Sequence, residues 1–206
     1  MVVCVTGQMA AGKNFICSQF EKGERTLEGQ GDGGWISLDA DKIVHQAVED
    51  CKEKILETFG ETAKEKGIEI LDADGKIIRR KLGEVLFGDA ELLKKQEEIV
   101  HPYVTDYVKK FISENTSNGK TENTSGRKEI TQKNIIINAT VLYKTPDVMK
   151  MCEKIIFVKA SFLKRLFRAK RRDKMPVRKI IERFKSQRDL FSCYEKTGVP
   201  IEVIRN

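Results

Sequence analysis

A glycine-rich loop near the N-terminus carries the clearest chemical pattern in this sequence. Gly7 and Gly12 bracket four residues, and Lys13 follows the second glycine. Glycine at these positions lets backbone N–H groups turn toward an anion, and the lysine charge reaches the same anion. An apolar run before the loop and a helical pattern after it complete an arrangement typical of nucleotide-phosphate sites. The predicted phosphate-binding loop comprises Gly7, Gln8, Met9, Ala10, Ala11, Gly12, Lys13 and Asn14.

Asn14 stands where such loops usually carry Ser or Thr, whose hydroxyl binds Mg²⁺. An amide oxygen can also bind Mg²⁺, although on a longer side chain. Asn14 is therefore a candidate metal ligand. The alternative is a turn that only joins a strand to a helix, but that alternative does not account for the placement of Lys13.

Two carboxylates, Asp39 and Asp41, follow a second predicted strand at residues 35–38. Ligands bind at the carboxyl ends of parallel strands, where a carboxylate can accept a proton from a hydroxyl or hold Mg²⁺ through water. Asp41 is the preferred candidate for the base. Asp39 is a candidate substrate-binding residue, but it also fits an N-cap of the following helix.

Three arginines, Arg165, Arg168 and Arg172, share one face of a predicted helix at residues 161–174. Arginines on a helix that closes over a triphosphate would exclude water and neutralise developing charge. The alternative is a solvated basic surface. Arg165 is the first candidate for stabilising a transferred phosphoryl group, because it lies nearest the preceding strand.

Five predicted strands position these residues, and they alternate with helices as in a parallel α/β sheet of the P-loop NTPase type flanked by helices. The strands are predicted at residues 2–6, 35–38, 134–138, 154–159 and 201–204. We expect one P-loop domain over residues 1–206. Its core would comprise about 1–41, 130–160 and 196–206.

The segments between the strands are expected to form three accessory parts. Residues 42–113 are too long for a simple crossover and predict an inserted helical lobe, with helix ends at Gly60 and at His101–Pro102. Residues 114–128 predict a flexible surface loop. Residues 161–190 predict an arginine-rich lid.

Composition excludes several other classes of protein. The 206 residues are 40% hydrophobic and 33% charged, which suits a soluble domain, and no apolar run approaches the ~20 residues of a membrane span. Five scattered cysteines indicate reduced thiols in a cytoplasmic protein and no zinc site. The net charge of +7 suits an anionic partner, but aromatic residues are only 7% and do not alternate with the basic ones, so nucleic acid is not expected.

The order of these motifs resembles the dephospho-coenzyme A kinase family over nearly the whole chain. The resemblance rests on the loop, on Asp39-Ala40-Asp41, on His101-Pro102, and on a lid pattern ending in Arg172-Asp173. It implies an ATP- and Mg²⁺-dependent enzyme that phosphorylates the ribose 3′-hydroxyl of dephospho-CoA. The expected assembly is a monomer or a weak homo-oligomer.

The resemblance also implies individual roles. Lys13 and the loop would hold the ATP phosphates with Arg168 and Arg172, Asp41 would accept the proton, and Arg165 would stabilise the transferring phosphoryl group. The helical lobe, including Arg80 and His101, would hold the CoA part of the substrate. From its position alone, His101 equally fits a helix junction before a proline.

Some positions depart from the family pattern. Gln8 and Ala10 replace glycines usual in the family's loop, and Asn14 replaces Ser or Thr. In a later segment, Asn138 stands where the family has an acidic residue, Thr140 where it has a proline, and Lys144 where it has a glutamate. These departures leave two alternatives open: a P-loop kinase for another small molecule, or a nucleotide-binding homologue with altered catalysis.

Overall fold

The computed structural model describes residues 1–116 and 133–206. These residues form one sheet whose strands are separated in sequence by helices. Its strands and helices in chain order are β1 (Val2–Gly7), α1 (Lys13–Glu21), β2 (Trp35–Asp39), α2 (Ala40–Asp50), α3 (Lys52–Glu65), α4 (Arg79–Leu86), α5 (Ala90–Thr116), β3 (Asn134–Asn138), α6 (Pro146–Met149), β4 (Lys154–Lys159), α7 (Phe162–Asp173), α8 (Val177–Ser186), α9 (Leu190–Glu195) and β5 (Ile201–Arg205).

The five strands are parallel and lie in the order β2-β3-β1-β4-β5. Every residue of β1 and β3 is buried, as expected of apolar strands covered on both faces. The predicted five-stranded parallel sheet is confirmed. Its carboxyl edge brings together the ends of β1, β2 and β3, and Asp39 pairs in register with Asn138 there.

The chain forms two compact units. The first comprises Met1–Ala40 and Lys109–Asn206 and contains the sheet, and the second comprises Asp41–Val108. In the first unit, α1 packs on the sheet through Ile16 and Phe20. The second unit has its own apolar cluster, which includes Ala63, Ile70 and Val85.

Two predicted helix ends are wrong because burial outweighs local propensity. Gly60 lies inside α3, where buried Phe59 and Ala63 hold the helix despite a cost of about 1 kcal/mol for glycine. The chain turns away only at Gly67, whose φ is 64°. Pro102 lies inside α5, and the turns on either side of it are held by burial of Val100 and Val104.

The C-terminal part of α5 also changes the predicted loop at residues 114–128. Residues 114–116 are helical, so the loop prediction is wrong there, and the remainder, 117–128, lies outside the described residues. Although α5 is 27 residues long, neither it nor any other described helix is long and apolar enough to cross a membrane. Helix α9, which the sequence did not predict, contributes the buried Tyr194.

Candidate active site

The geometry of the loop requires glycine at two positions, Gly7 and Gly12. Gly7 has a φ of 153°, and a Cβ added there would lie 2.4 Å from the backbone oxygen of Val158 in β4. Gly12 has a φ of 99°, and its Cβ would lie 1.9 Å from Nδ2 of Asn206. Ala10 also has a positive φ, 61°, at a position where the resembling family usually has glycine. The loop backbone therefore occupies conformations that favour glycine.

Helix α1 begins within the last two residues of this loop, at Lys13. Its first N–H groups have no partner within the helix, and the helix dipole favours an anion at this end. Gly12 offers no side-chain cap, and the first turn contains no acidic residue. The loop and the helix end thus form the kind of site that binds phosphate.

Lys13 meets a hydrogen-bonded segment that follows β3. Its Nζ donates to the hydroxyl of Thr140 at 3.0 Å. The backbone oxygen of Thr140 accepts hydrogen bonds from the hydroxyls of Thr6, at 3.3 Å, and of Tyr194, at 3.2 Å. The Tyr194 oxygen accepts in turn from the N–H of Leu142 at 2.9 Å. Hydrogen bonds from Thr6 and Tyr194 therefore hold the backbone of Thr140 in place. Its hydroxyl gives Lys13 an uncharged hydrogen-bond acceptor.

Two of the three lid arginines reach the loop. Arg165 donates from Nε to the backbone oxygen of Met9 at 3.0 Å and from Nη1 to Oε1 of Gln8 at 2.6 Å. Arg168 donates from Nη1 to the backbone oxygen of Ala11 at 3.2 Å. Burial lowers the pKa of the Arg165 guanidinium from its ordinary value, but arginine remains charged at neutral pH. Both positive charges therefore lie beside the predicted phosphate site.

Arg172 differs from the other two arginines. Its guanidinium binds the carboxylate of Asp173 through two hydrogen bonds, at 2.7 and 3.0 Å. This contact lowers the pKa of the Asp173 carboxyl from its ordinary value. The structure therefore does not bring Arg172 to the loop, although it shares the helical spacing of Arg165 and Arg168.

Two further residues tie the loop to distant parts of the chain. Gln187, at the C-terminal end of α8, accepts from the N–H of Met9 at 2.6 Å through Oε1, and its backbone oxygen accepts from Nε2 of Gln8 at 3.0 Å. Asn206 donates from Nδ2 to the backbone oxygen of Ala11 at 3.0 Å. Sequence reasoning did not assign either residue to the site. The only sequence signals were position: Gln187 lies in the predicted lid, residues 161–190, and Asn206 follows the last predicted strand.

Asn14 lies against a second amide side chain. Its Oδ1 accepts from Nδ2 of Asn138 at 2.9 Å, and Oδ1 of Asn138 is buried with no hydrogen-bond partner among the described residues. The half-buried Asp39 is the register partner of Asn138. No group of three or more His, Cys, Asp or Glu residues suited to a metal occurs in the described ranges. Two amides and one carboxylate nevertheless fit Mg²⁺, because this ion takes oxygen ligands and completes its shell with water and substrate phosphates.

The remaining predicted site residues lie in the second unit. Asp41 is half-buried and is the second residue of α2, two positions after Asp39. Arg80 is exposed at the start of α4, with Nε 3.8 Å from Oε1 of Glu84. His101 is half-buried within α5.

The parallel sheet, the glycine loop before α1 and the arginine-bearing α7 define a nucleotide-binding α/β protein of the P-loop kinase class. The family model described as dephospho-CoA kinase matches residues 1–206. The chain therefore belongs to the dephospho-CoA kinase family.

Relatives agree with this membership, and two solved structures share the fold. The dephospho-CoA kinase of Treponema denticola is 28% identical over 206 residues, which cover 100% of this chain and 82% of the relative. That of Fusobacterium nucleatum is 30% identical, covering 98% of this chain and 89% of the relative. A Thermus thermophilus crystal structure shares the fold with a TM-score of 0.71 at 19% identity, covering 100% of this chain and 88% of its own. The dephospho-CoA kinase structure from Campylobacter jejuni has a TM-score of 0.54 at 20% identity, covering 100% and 87%.

Proposed function

We propose that this protein transfers the γ-phosphoryl group of ATP to the ribose 3′-hydroxyl of dephospho-CoA, with the residues described above in defined roles. Family membership supports the reaction. The observation that carries the assignment of roles is the contact of Arg165 and Arg168 with the loop from which α1 begins. This contact concentrates positive charge where a triphosphate would lie.

The loop and Lys13 bind the β- and γ-phosphates of ATP in this proposal, through backbone N–H groups and the lysine charge. Arg168 adds a positive charge beside Ala11. Asn206, which contacts the loop, also lines a cavity of about 490 Å³. In this proposal the cavity binds the nucleoside part of ATP. It is lined by Lys159, Ala160, Ser161, Lys164, Arg205 and Asn206.

Asp41 accepts the proton of the ribose 3′-hydroxyl as that oxygen attacks the γ-phosphorus in line with the leaving ADP oxygen. Arg165 neutralises charge on the transferring group. When bound, Mg²⁺ neutralises phosphate charge, and the residues that would hold it are Asn14, with Asn138 and Asp39 nearby. The remaining ligands would be phosphate oxygens and water.

The second unit supplies the acceptor site in this proposal. Arg80 is exposed, and its contact with Glu84 is of the surface type that contributes little free energy. Its guanidinium can therefore exchange that carboxylate for a phosphate of dephospho-CoA. His101 is assigned to the same substrate. We expect the protein to act as a monomer or a weak homo-oligomer.

A small phosphate-bearing ligand also fits the lid better than nucleic acid does. Arg165 and Arg168 bind the loop of their own chain. They therefore do not present an open basic surface of the kind that follows a nucleic-acid backbone. DNA binding with a steep dependence on salt would contradict this assignment.

The test is a coupled ADP-release assay with ATP, Mg²⁺ and dephospho-CoA, with mass spectrometry of the product. The expected result is CoA formed in step with ADP. CoA itself is the matched control acceptor, because its 3′-oxygen already carries a phosphate. Tight ATP binding without CoA formation would overturn the proposal.

A further inference from the structure

The side chain of Gln8 joins the phosphate loop to both ends of the lid. Its Oε1 accepts from Nη1 of Arg165 in α7, and its Nε2 donates to the backbone oxygen of Gln187 at the end of α8. The family pattern that this sequence resembles usually has glycine at this position, and a glycine side chain could make neither contact.

The contacts of Arg165 show what the link does. Nε is held by the backbone oxygen of Met9, Nη1 is held by Gln8, and the guanidinium carbon lies 4.1 Å from the centre of the Phe184 ring. A planar guanidinium anchored at two nitrogens and stacked on a ring has little freedom to rotate. The orientation of Arg165 therefore depends on Gln8.

Among the described residues, the third nitrogen of this guanidinium has no hydrogen-bond acceptor. Nη2 of Arg165 is buried without a hydrogen-bond partner among the described residues, and the whole side chain is only 6% exposed. Leaving a charged donor buried and unpaired is costly, and such a donor binds an anionic oxygen strongly when one arrives. Two anchored nitrogens and one unpaired nitrogen are the arrangement expected of a preset phosphate contact.

We propose that Gln8 is a positioning residue for Arg165: it holds the guanidinium so that Nη2 meets the transferring phosphoryl group. This inference rests on the role proposed above for Arg165. Gln8 acts through that arginine and not by contact with the phosphate. Its loss therefore affects the transition state more than the binding of ATP.

The main variant is Gln8→Met, which keeps the length of the side chain and removes both hydrogen bonds. We expect kcat to fall about 10- to 100-fold, as for the loss of a hydrogen bond to a charged group, with KM for ATP changed by less than about threefold. Gln19→Met is the matched control, because Gln19 also accepts from an arginine, Arg25, at 3.4 Å and lies in α1 outside the site. The control should retain kcat.

A double-mutant cycle separates positioning from a general effect on the loop. In an Arg165→Ala background, Gln8→Met should lower kcat no further, because the group it positions is absent. An equal additional loss in that background would refute the inference. Hydrogen exchange provides a readout that needs no turnover: Gln8→Met should raise amide exchange in residues 161–187, and unchanged exchange would count against the link.

The same cycle distinguishes failure of this inference from failure of the proposed function. If Arg165→Ala keeps full kcat, the proposed role of Arg165 is wrong. If Arg165→Ala lowers kcat but Gln8→Met does not, only the positioning role of Gln8 is wrong. Gln8→Gly, the residue usual in the family, is the second variant should the methionine disturb folding, and it carries the same expectations.

Discussion

Replacing Gly7 by alanine should both destabilise the protein and abolish ATP binding. The new Cβ would lie 2.4 Å from the backbone oxygen of Val158, whereas ordinary contacts begin near 3.4 Å. The two backbones would have to separate by about 1 Å, since 3.4 − 2.4 = 1.0. Gly7 and Val158 are register partners in adjoining strands, so the shift would spread into the buried pair β1–β4.

The expected cost of Gly7→Ala has two parts. Overpacking a close-packed region costs about 1–3 kcal/mol. Holding a non-glycine residue at an unfavourable φ adds about 1–3 kcal/mol. The total of roughly 2–6 kcal/mol is a large fraction of a typical unfolding free energy of 5–15 kcal/mol.

Urea unfolding at neutral pH measures this loss, and binding of a fluorescent ATP analogue measures the effect on the loop. With an m-value of about 2 kcal/mol per molar, a loss of 3 kcal/mol lowers the midpoint by about 1.5 M. Gly34→Ala is the matched control in the same unit, because its Cβ meets nothing within 4 Å and its φ is not in the positive range. A Gly7→Ala midpoint equal to that of the control would refute the steric reasoning.

Three further changes test the site and the core. Asp41→Asn should lower kcat at least 100-fold with ATP affinity retained, because the proton acceptor is lost; near-normal turnover would remove Asp41 from the mechanism. Asn14→Ser removes the hydrogen bond to Asn138 and supplies a hydroxyl, so half-saturation of ATP binding should require about fivefold less Mg²⁺, and an unchanged titration would argue against a metal role. Burial raises the pKa of Cys17 and Cys152 to about 12, so neither thiol should react with a disulfide reagent at pH 8 before unfolding, and rapid labelling would contradict their burial. Because folding raises these pKa values, the stability they contribute is complete below the ordinary thiol pKa of 9.0 and declines as pH rises toward 12.

Strands were more predictable than helix ends in this chain. The apolar runs of β1, β3 and β4 are local signals, because a strand buried on both faces needs apolar residues throughout. Helix ends depend on a small free-energy difference between local helix propensity and the packing of buried side chains. At Gly60 and Pro102 the packing of neighbouring buried residues exceeds the local penalty, and no local pattern reports that packing.

The partners of the loop could not be predicted from local patterns either. Four residues more than a hundred positions away in sequence hold the loop. Thr140 and Asn206 each contact it through one hydrogen bond and Gln187 through two, and Tyr194 reaches it through Thr140. Hydrogen bonds between such distant positions arise only when the sheet order places β3 and β4 on either side of β1, with β5 next to β4. The motif spacing around Gly7, by contrast, predicted the loop directly.

The sequence by itself determined the phosphate loop, the parallel strands that carry it and the helical spacing of the three arginines, because glycine spacing, apolar runs and helical periodicity are all local. Only the tertiary structure decided which arginines serve the loop. Arg165 and Arg168 reach backbone oxygens of Met9 and Ala11, whereas Arg172 binds its own neighbour Asp173. Periodicity sets the face of a helix on which a side chain lies. The residue that the side chain contacts depends on its distance to the element packed against the helix. It also depends on whether a carboxylate lies closer than that element.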